Sequence, residues 1–174
     1  MPPKLTSSML YLDDVNVSFD GFKAINGLSL ILEPGEMRAI IGPNGAGKTT
    51  MMDIITGKTK PDIGEVYFNG NIDVTKHDES AIATMGIGRK FQKPTVFENH
   101  TVEDNLLLAM SGTQTIKSML FGSRSKNEQE NIDQILATTR LTARRNDQAA
   151  SLSHGQKQWL EIGMLLAQDP KLLL

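Results

Sequence analysis

A mixed α/β domain is the fold class this sequence predicts, and three observations predict it. Short runs of alternating apolar and polar residues, each closed by a turn signal, fill much of the first third. Among them lies an apolar run, a glycine-rich turn and a helix-forming segment in immediate succession. From about Thr101 onward the apolar residues recur at helical spacing.

Each element follows from its own residues. Val15, Val17 and Phe19 alternate with polar residues, and Asp20-Gly21 marks a turn. Leu28, Leu30 and Leu32 alternate next and end at Glu33-Pro34-Gly35. Val66 and Phe68 precede Asn69-Gly70, the strongest short hairpin signal. These read as antiparallel strands with one buried face. Met37 to Ile41 is expected as a short apolar strand, followed by the glycine-rich turn and a helix over Lys48–Thr56, with Gly57 past its end. Val102 to Met110 is expected to be helical, with Thr101 as N-cap and Asp104 three residues on. Asn127 to Leu141 carries Ile132, Ile135 and Leu136 on one helical face. The Ser/Gly/Lys-rich stretch Ser111 to Lys126 reads as a loop with up to one turn of helix. Trp159 to Ala167 is another amphipathic helix, stopped by Asp169-Pro170. There is no internal repeat and no low-complexity segment.

Composition sets limits on function. Of 174 residues, 39% are hydrophobic and 22% charged, a globular balance. The formal net charge of -2 argues against a mainly electrostatic partner such as bare nucleic acid or an anionic membrane surface. No cysteine is present, so disulfides, thiolate zinc sites and cysteine nucleophiles are excluded. The longest apolar run, Leu106 to Met110, is far short of the roughly 20 residues that span a bilayer. The N-terminal Met1-Pro2-Pro3-Lys4 lacks the apolar stretch of a signal peptide. His77, His100 and His154 are scattered and have no metal-ligand spacing. Arg89-Lys90 and Arg144-Arg145 are expected to be solvated surface charges.

One motif carries chemistry on its own. Gly42-Pro43-Asn44-Gly45-Ala46-Gly47-Lys48-Thr49 matches G-x-x-x-x-G-K-[ST]. Its glycines let successive backbone N–H groups turn toward one anion. The helix that follows adds its positive end. Lys48 can reach outer phosphates, and the Thr49 hydroxyl can ligate Mg²⁺. A second glycine signal, Leu152-Ser153-His154-Gly155-Gln156, precedes another helix. On its own it reads as an ordinary N-cap.

Together the two motifs, with what lies between, resemble the ATP-binding cassette (ABC) ATPases, over essentially the whole chain. The resemblance implies a phosphate-loop nucleoside-triphosphatase core with an antiparallel β subdomain and a helical subdomain. It divides the chain into 1–92 (β subdomain and phosphate-loop part of the core), 93–151 (helical subdomain) and 152–174 (signature helix and the start of a further core strand). It implies that Gly42, Asn44, Gly45, Ala46, Gly47, Lys48, Thr49 and Thr50 bind ATP with Mg²⁺. Leu152 to Gln156 resembles the signature motif, usually L-S-G-G-Q, with His154 in place of its first glycine. Ser153, Gly155 and Gln156 are then implied to face the γ-phosphate of ATP held by a partner subunit. Gln92, in Arg89-Lys90-Phe91-Gln92, matches the family's glutamine that touches Mg²⁺ and the attacking water. Phe19 falls where the family stacks an aromatic on adenine; a core-facing strand residue is the other reading of it.

The resemblance also sorts among ABC ATPases. Residues 93–151 suit a compact helical insert and leave no room for the coiled-coil arms of the DNA-linked members. Gly86 to Gln92, Thr95 to Val102 and Leu152 to Met164 look like importers of branched-chain amino acid type, most of all the urea importers. The implied partners are a second ATPase subunit, in a heterodimer, two transmembrane permease subunits and, indirectly, a periplasmic solute receptor. The implied place is the cytoplasmic face of the inner membrane. The family continues past the apolar run at Leu172-Leu173-Leu174 with an Asp and a Glu, then a switch His. None is present, so the sequence reads as a domain truncated there, with hydrolysis almost abolished. A non-hydrolysing nucleotide-binding module, or a degenerate partner subunit, is the alternative.

Overall fold

The computed structural model describes residues 7–90, 95–110 and 126–174. The chain divides into two compact units, Met1–Ile87 and Gly88–Leu174.

The first unit is built on a four-stranded antiparallel sheet, in the order β2-β1-β3-β4. β1 (Leu10–Phe19) pairs with β2 (Phe22–Leu32) through a two-residue turn that brings Phe19 opposite Phe22. Asp20 and Gly21 both have positive φ, as a tight turn matching the twist of its strands requires. β3 (Ile63–Phe68) and β4 (Ile72–Asp73) turn at Asn69-Gly70, again with both φ positive. Both hairpin signals in the sequence thus mark real turns.

The alternation in β1 carries a phase break. Leu10 and Leu12 are buried, then Val15 and Val17, with Asp13 and Asp14 exposed between. An extra residue at Asp14, φ 44, shifts the register between Leu12 and Val15. The bulge is tied down from both sides: the Asp14 amide donates to Ser29 Oγ at 3.1 Å, and the Gly27 amide to Asn16 Oδ1 at 2.8 Å. Opposite it, Gly64 has φ 98, and a Cβ there would lie 2.5 Å from the carbonyl oxygens of Asp13 and Asp14. Only glycine fits.

Against this sheet's unit packs α1 (Lys48–Ile55), which buries Met51, Ile54 and Ile55. Gly57, φ 79, follows its end, and its amide donates to Ile54 O at 3.0 Å, which confirms the expected C-terminal glycine. A short helix the sequence did not announce, α2 (Glu79–Thr84), is capped by Asp78 and buries Ile82.

The expected strand at Met37 to Ile41 does not form a ladder. Residues 37–41 carry no strand pairing, and Met37 is 97% and Ile41 94% exposed. A parallel-sheet strand is stabilised by neighbours on both sides, and no described residue supplies one.

The second unit is helical. β5 (Ile87–Gly88) and β6 (Leu172–Leu173) form a short pair at its edge, where the Leu174 amide donates to Gly88 O and the Lys90 amide to Leu174 O. α3 (Val102–Met110), α4 (Lys126–Thr138) and α5 (His154–Ala167) bury Val102, Leu106, Ile132, Ile135, Leu136 and Leu160 together. They close on Gly163 of α5, where a Cβ would stand 3.1 Å from Leu106 Cδ2 and 3.2 Å from Ile135 Cγ2. The expected capping box forms, with the Asp104 amide donating to Thr101 Oγ1 at 3.0 Å and the Thr101 amide to Asp104 Oδ2 at 3.3 Å. α5 starts five residues before the expected Trp159, because Ser153 caps it. The loop expected at Ser111 to Lys126 falls at 111–125 outside the described residues, and Lys126 itself opens α4.

Of the two charge pairs expected to be solvated, Arg144 is exposed as expected, but Arg145 and Lys90 are half-buried against carboxylates. Arg145 donates to both carboxylate oxygens of Glu103, at 2.8 and 3.0 Å, and to Asp133 at 2.6 Å. Those hydrogen bonds, Glu103's first, hold its guanidinium above its ordinary range despite burial. Lys90 lies 3.2 Å from the buried Glu161. Both side chains found carboxylates distant in sequence, which local charge patterning does not reveal.

Candidate functional site: a phosphate loop and a capped glycine motif

The loop at 42–47 is a cradle made of backbone. Gly45 and Gly47 both have φ 82, a conformation side chains rarely adopt. At Gly47 a Cβ would also strike Ala24 O at 2.6 Å, so the loop can press against β2 only without one. The Ala46 amide is used internally, donating to Pro43 O at 3.2 Å. Among the described residues, the amides of Gly45, Gly47, Lys48, Thr49 and Thr50 meet no protein acceptor.

The electrostatics match. Gly47 caps α1 without a side chain, and the first turn holds no acidic residue, so the positive helix end has no anion of its own. Lys48 Nζ donates to Gly42 O and Pro43 O, each at 2.6 Å, which lays the ammonium across the loop. The loop from Gly42 to Ala46 is exposed, and so is Thr49, whose hydroxyl has no partner. This donor set fits a polyphosphate: unengaged amides, a helix end and a cation. It also fits Mg²⁺ in the usual phosphate-loop manner, where one hydroxyl and the phosphates hold the ion. No group of three metal-binding side chains stands among the described residues.

Phe19 ends β1 at 48% exposure, so it is not the core-facing residue of the other reading. Gln92 lies outside the described residues.

In the second unit, Ser153 is the N-cap of α5 in a full capping box. The Gln156 amide donates to Ser153 Oγ at 3.3 Å, and the Ser153 amide to Gln156 Oε1 at 2.9 Å. The ordinary N-cap reading is therefore correct as structure. Gly155 leaves open space where a side chain would stand, and Ser153, His154 and Gly155 are all exposed. The His154 ring lies 3.1 Å from Gln158 Nε2, one turn along the helix, and points into no other bond.

What sequence reasoning missed is Glu161. It is 4% exposed on α5 and reaches Lys90 and Thr95. The signal was available: a lone carboxylate inside the apolar run Trp159-Leu160-Glu161-Ile162.

The family model described as ABC transporter matches residues 25–174. A probable branched-chain amino acid transport ATP-binding protein, LivG, of Methanocaldococcus jannaschii is 34% identical, over 97% of this chain and 67% of its own length. The ADP conformation of MJ1267, an ATP-binding cassette of an ABC transporter, superposes with TM-score 0.79 at 33% identity, over 97% of this chain and 68% of that one. A dimeric cassette, MJ0796, bound to ADP and Pi, gives TM-score 0.74 at 27% identity, over 95% and 72%. The chain thus spans about two thirds of the length of these relatives. It belongs to the ABC transporter family, and its fold is that of the ABC ATPases.

Proposed function

We propose that this chain is the ATP-binding part of an importer subunit, and that its solute is urea or one of branched-chain amino acid type. The observation that carries the reading is the set of unengaged amides at Gly45, Gly47, Lys48, Thr49 and Thr50, facing the unneutralised start of α1. Gly42, Asn44 and Ala46 complete the loop, and Lys48 neutralises the outer phosphates. Mg²⁺ supplies charge neutralisation at those phosphates when bound; Thr49 is its ligand, and Gln92 is given the family glutamine's contact to it. Phe19 is proposed to stack on the base, a role its exposure at a hairpin tip supports.

Ser153, Gly155 and Gln156 are proposed to face a partner subunit's nucleotide, with a second ATPase chain as that partner. Two permease subunits then cross the membrane, fed by a periplasmic receptor, and the ATPase sits on the cytoplasmic face. No described helix is long and apolar enough to cross a membrane itself. Nucleic acid is not a partner in this reading, in keeping with the net charge of -2. The urea assignment rests on the runs at 86–92, 95–102 and 152–164, since no residue here touches the solute.

The 174 residues hold no counterpart of the family's Asp, Glu and switch His, so by themselves they are proposed to bind nucleotide and hydrolyse very little. Titration with Mg-ATP tests the site: Lys48→Ala is expected to lose binding. Uptake of labelled urea against leucine, in cells lacking this subunit and complemented with it, tests the solute. Retention of full ATP affinity by the Lys48→Ala protein overturns the site, and uptake of neither solute overturns the transport reading.

A further inference from the structure

We propose that Phe22 is a second base-contacting residue, which with Phe19 makes an aromatic platform for the bicyclic base of a purine nucleotide. The inference rests on the proposed nucleotide site, in which Phe19 meets the base, and deepens it. Phe19 and Phe22 stand directly opposite each other where β1 and β2 close, so both side chains leave the same face of the hairpin. Phe22 is 68% exposed and Phe19 48%. Neither ring meets another aromatic ring among the described residues. β2 is an edge strand of its sheet. A phenyl ring left in water there is unfavourable and invites pairing with other chains. A flat ligand that covers both rings removes that cost.

The first unit by itself fixes where the pair stands relative to the phosphate loop. Val15, Val17 and Phe19 alternate along β1, and Val17 is paired with Ile25 of β2. Phe19, Phe22 and Ile25 therefore share one face. The phosphate loop lies against the same stretch of β2: a Cβ on Gly47 would stand 3.3 Å from Ile25 Cγ1 and 2.6 Å from Ala24 O. Phe19 is two residues beyond Val17, about 7 Å along the strand. A ribose and one phosphate bridge a gap of that order between a base and the phosphates held by the loop. The tip is also anchored. The Ser18 amide donates to Asp62 Oδ2 at 2.7 Å, and the Asp62 amide to Asn16 O at 2.9 Å. Rings on an anchored tip lose little freedom when a base arrives. Directly opposed residues have Cβ atoms about 5 Å apart, which suits the fused rings of a purine, whereas a pyrimidine covers one ring only.

The test is binding of ATP, CTP and inorganic tripolyphosphate, each with Mg²⁺, to the full chain as wild type, Phe22→Ala, Phe22→Tyr and Phe19→Ala. Phe22→Ala is expected to lose ~10-fold in ATP affinity, the lower part of the scale for one base–aromatic stack, while its tripolyphosphate affinity stays within about twofold. Its CTP affinity is expected to fall less than its ATP affinity. Phe22→Tyr keeps the ring and is expected to bind ATP as wild type does. Unchanged ATP affinity in Phe22→Ala overturns the inference, and so does an equal loss for ATP and tripolyphosphate, or for ATP and CTP. A Phe22→Tyr protein as weak as Phe22→Ala overturns it too. If Phe19→Ala loses ATP affinity while Phe22→Ala does not, the proposed site stands with one aromatic and this inference alone falls. A wild-type chain that binds neither ATP nor tripolyphosphate overturns the proposed function and this inference with it.

Discussion

Gly47 is where the backbone has least freedom and most consequence. Its φ of 82 and the 2.6 Å approach of Ala24 O mean that a single methyl must either move β2 or rotate the loop. Gly47→Ala is expected to lower stability by about 1–3 kcal/mol, the cost of strained backbone at such sites. It should also weaken ATP binding, because the amides of Lys48 and Thr49 turn with it. Denaturant unfolding and an ATP titration on the same protein check both; a variant with wild-type values for each removes the geometric account of the loop. A second residue-scale effect is electrostatic. Tyr67 donates its hydroxyl to Glu65 at 2.7 Å, and that bond, then burial, then nearby carboxylate charge push its pKa up from 10.0 to about 12. The folded state therefore holds this proton more tightly than the unfolded chain does. The stability it contributes is intact below pH 10 and is lost as pH rises from 10 toward about 12. Tyr67→Phe is expected to unfold less steeply across that window and to lack the late step of the phenolate titration. Tyr11, the only other tyrosine, is also raised, by burial and then Asp13.

At the scale of the element, the start of α5 is a structural cap, and the same residues are proposed to meet a partner's nucleotide. Ser153 and Gln156 satisfy each other's amides, so the cap is complete within the protein. Stability and function can then be separated by charge. Ser153→Ala removes the cap and is expected to cost about 1 kcal/mol of stability. Ser153→Asp restores a cap of equal quality but sets a carboxylate where a partner's phosphate is proposed to lie. It is expected to melt near wild type and to lose ATP-dependent association with the partner ATPase, read by analytical ultracentrifugation. Association at wild-type strength would assign Ser153 to capping alone.

Elements of this kind were legible in the sequence because their information is local. Asp20-Gly21 and Asn69-Gly70 announce turns, Thr101 with Asp104 announces a cap, and Ile132, Ile135 and Leu136 announce a face. The misses needed partners far along the chain. The ladder expected at 37–41 has no neighbour among the described residues, the β1 bulge depends on Ser29 and Gly64, and Arg145 and Lys90 are paired with Glu103 and Glu161. The conformation of the phosphate loop was legible because glycine spacing encodes the positive φ that Gly45 and Gly47 adopt. Glu161 was not, because a single carboxylate in an apolar run says it is paired without saying with what.

Over the 174 residues of this chain, binding and hydrolysis are proposed to come apart. In the proposed site, binding rests on the loop amides, the start of α1 and Lys48, and the first unit holds all of them. Hydrolysis requires in addition a group that orients and deprotonates water. The family's carboxylates for that purpose have no counterpart in the 174 residues. General-base assistance typically contributes ~10²–10⁴-fold in rate, so the chain by itself should release phosphate from ATP at a rate lower by that factor than a family member carrying them. Binding to the native state alone still stabilises it, by about 2.7 kcal/mol at a ligand concentration of ~100 times Kd. Mg-ATP is therefore expected to raise the melting temperature in a concentration-dependent way while phosphate release stays near background, and Lys48→Ala is expected to abolish the shift without lowering the ligand-free melting temperature. Calorimetry and a phosphate assay on one preparation decide it. Fast phosphate release that disappears in Lys48→Ala would mean that these residues activate water by a group other than the family's carboxylates, whereas a melting temperature indifferent to Mg-ATP would mean that the phosphate loop does not hold the nucleotide.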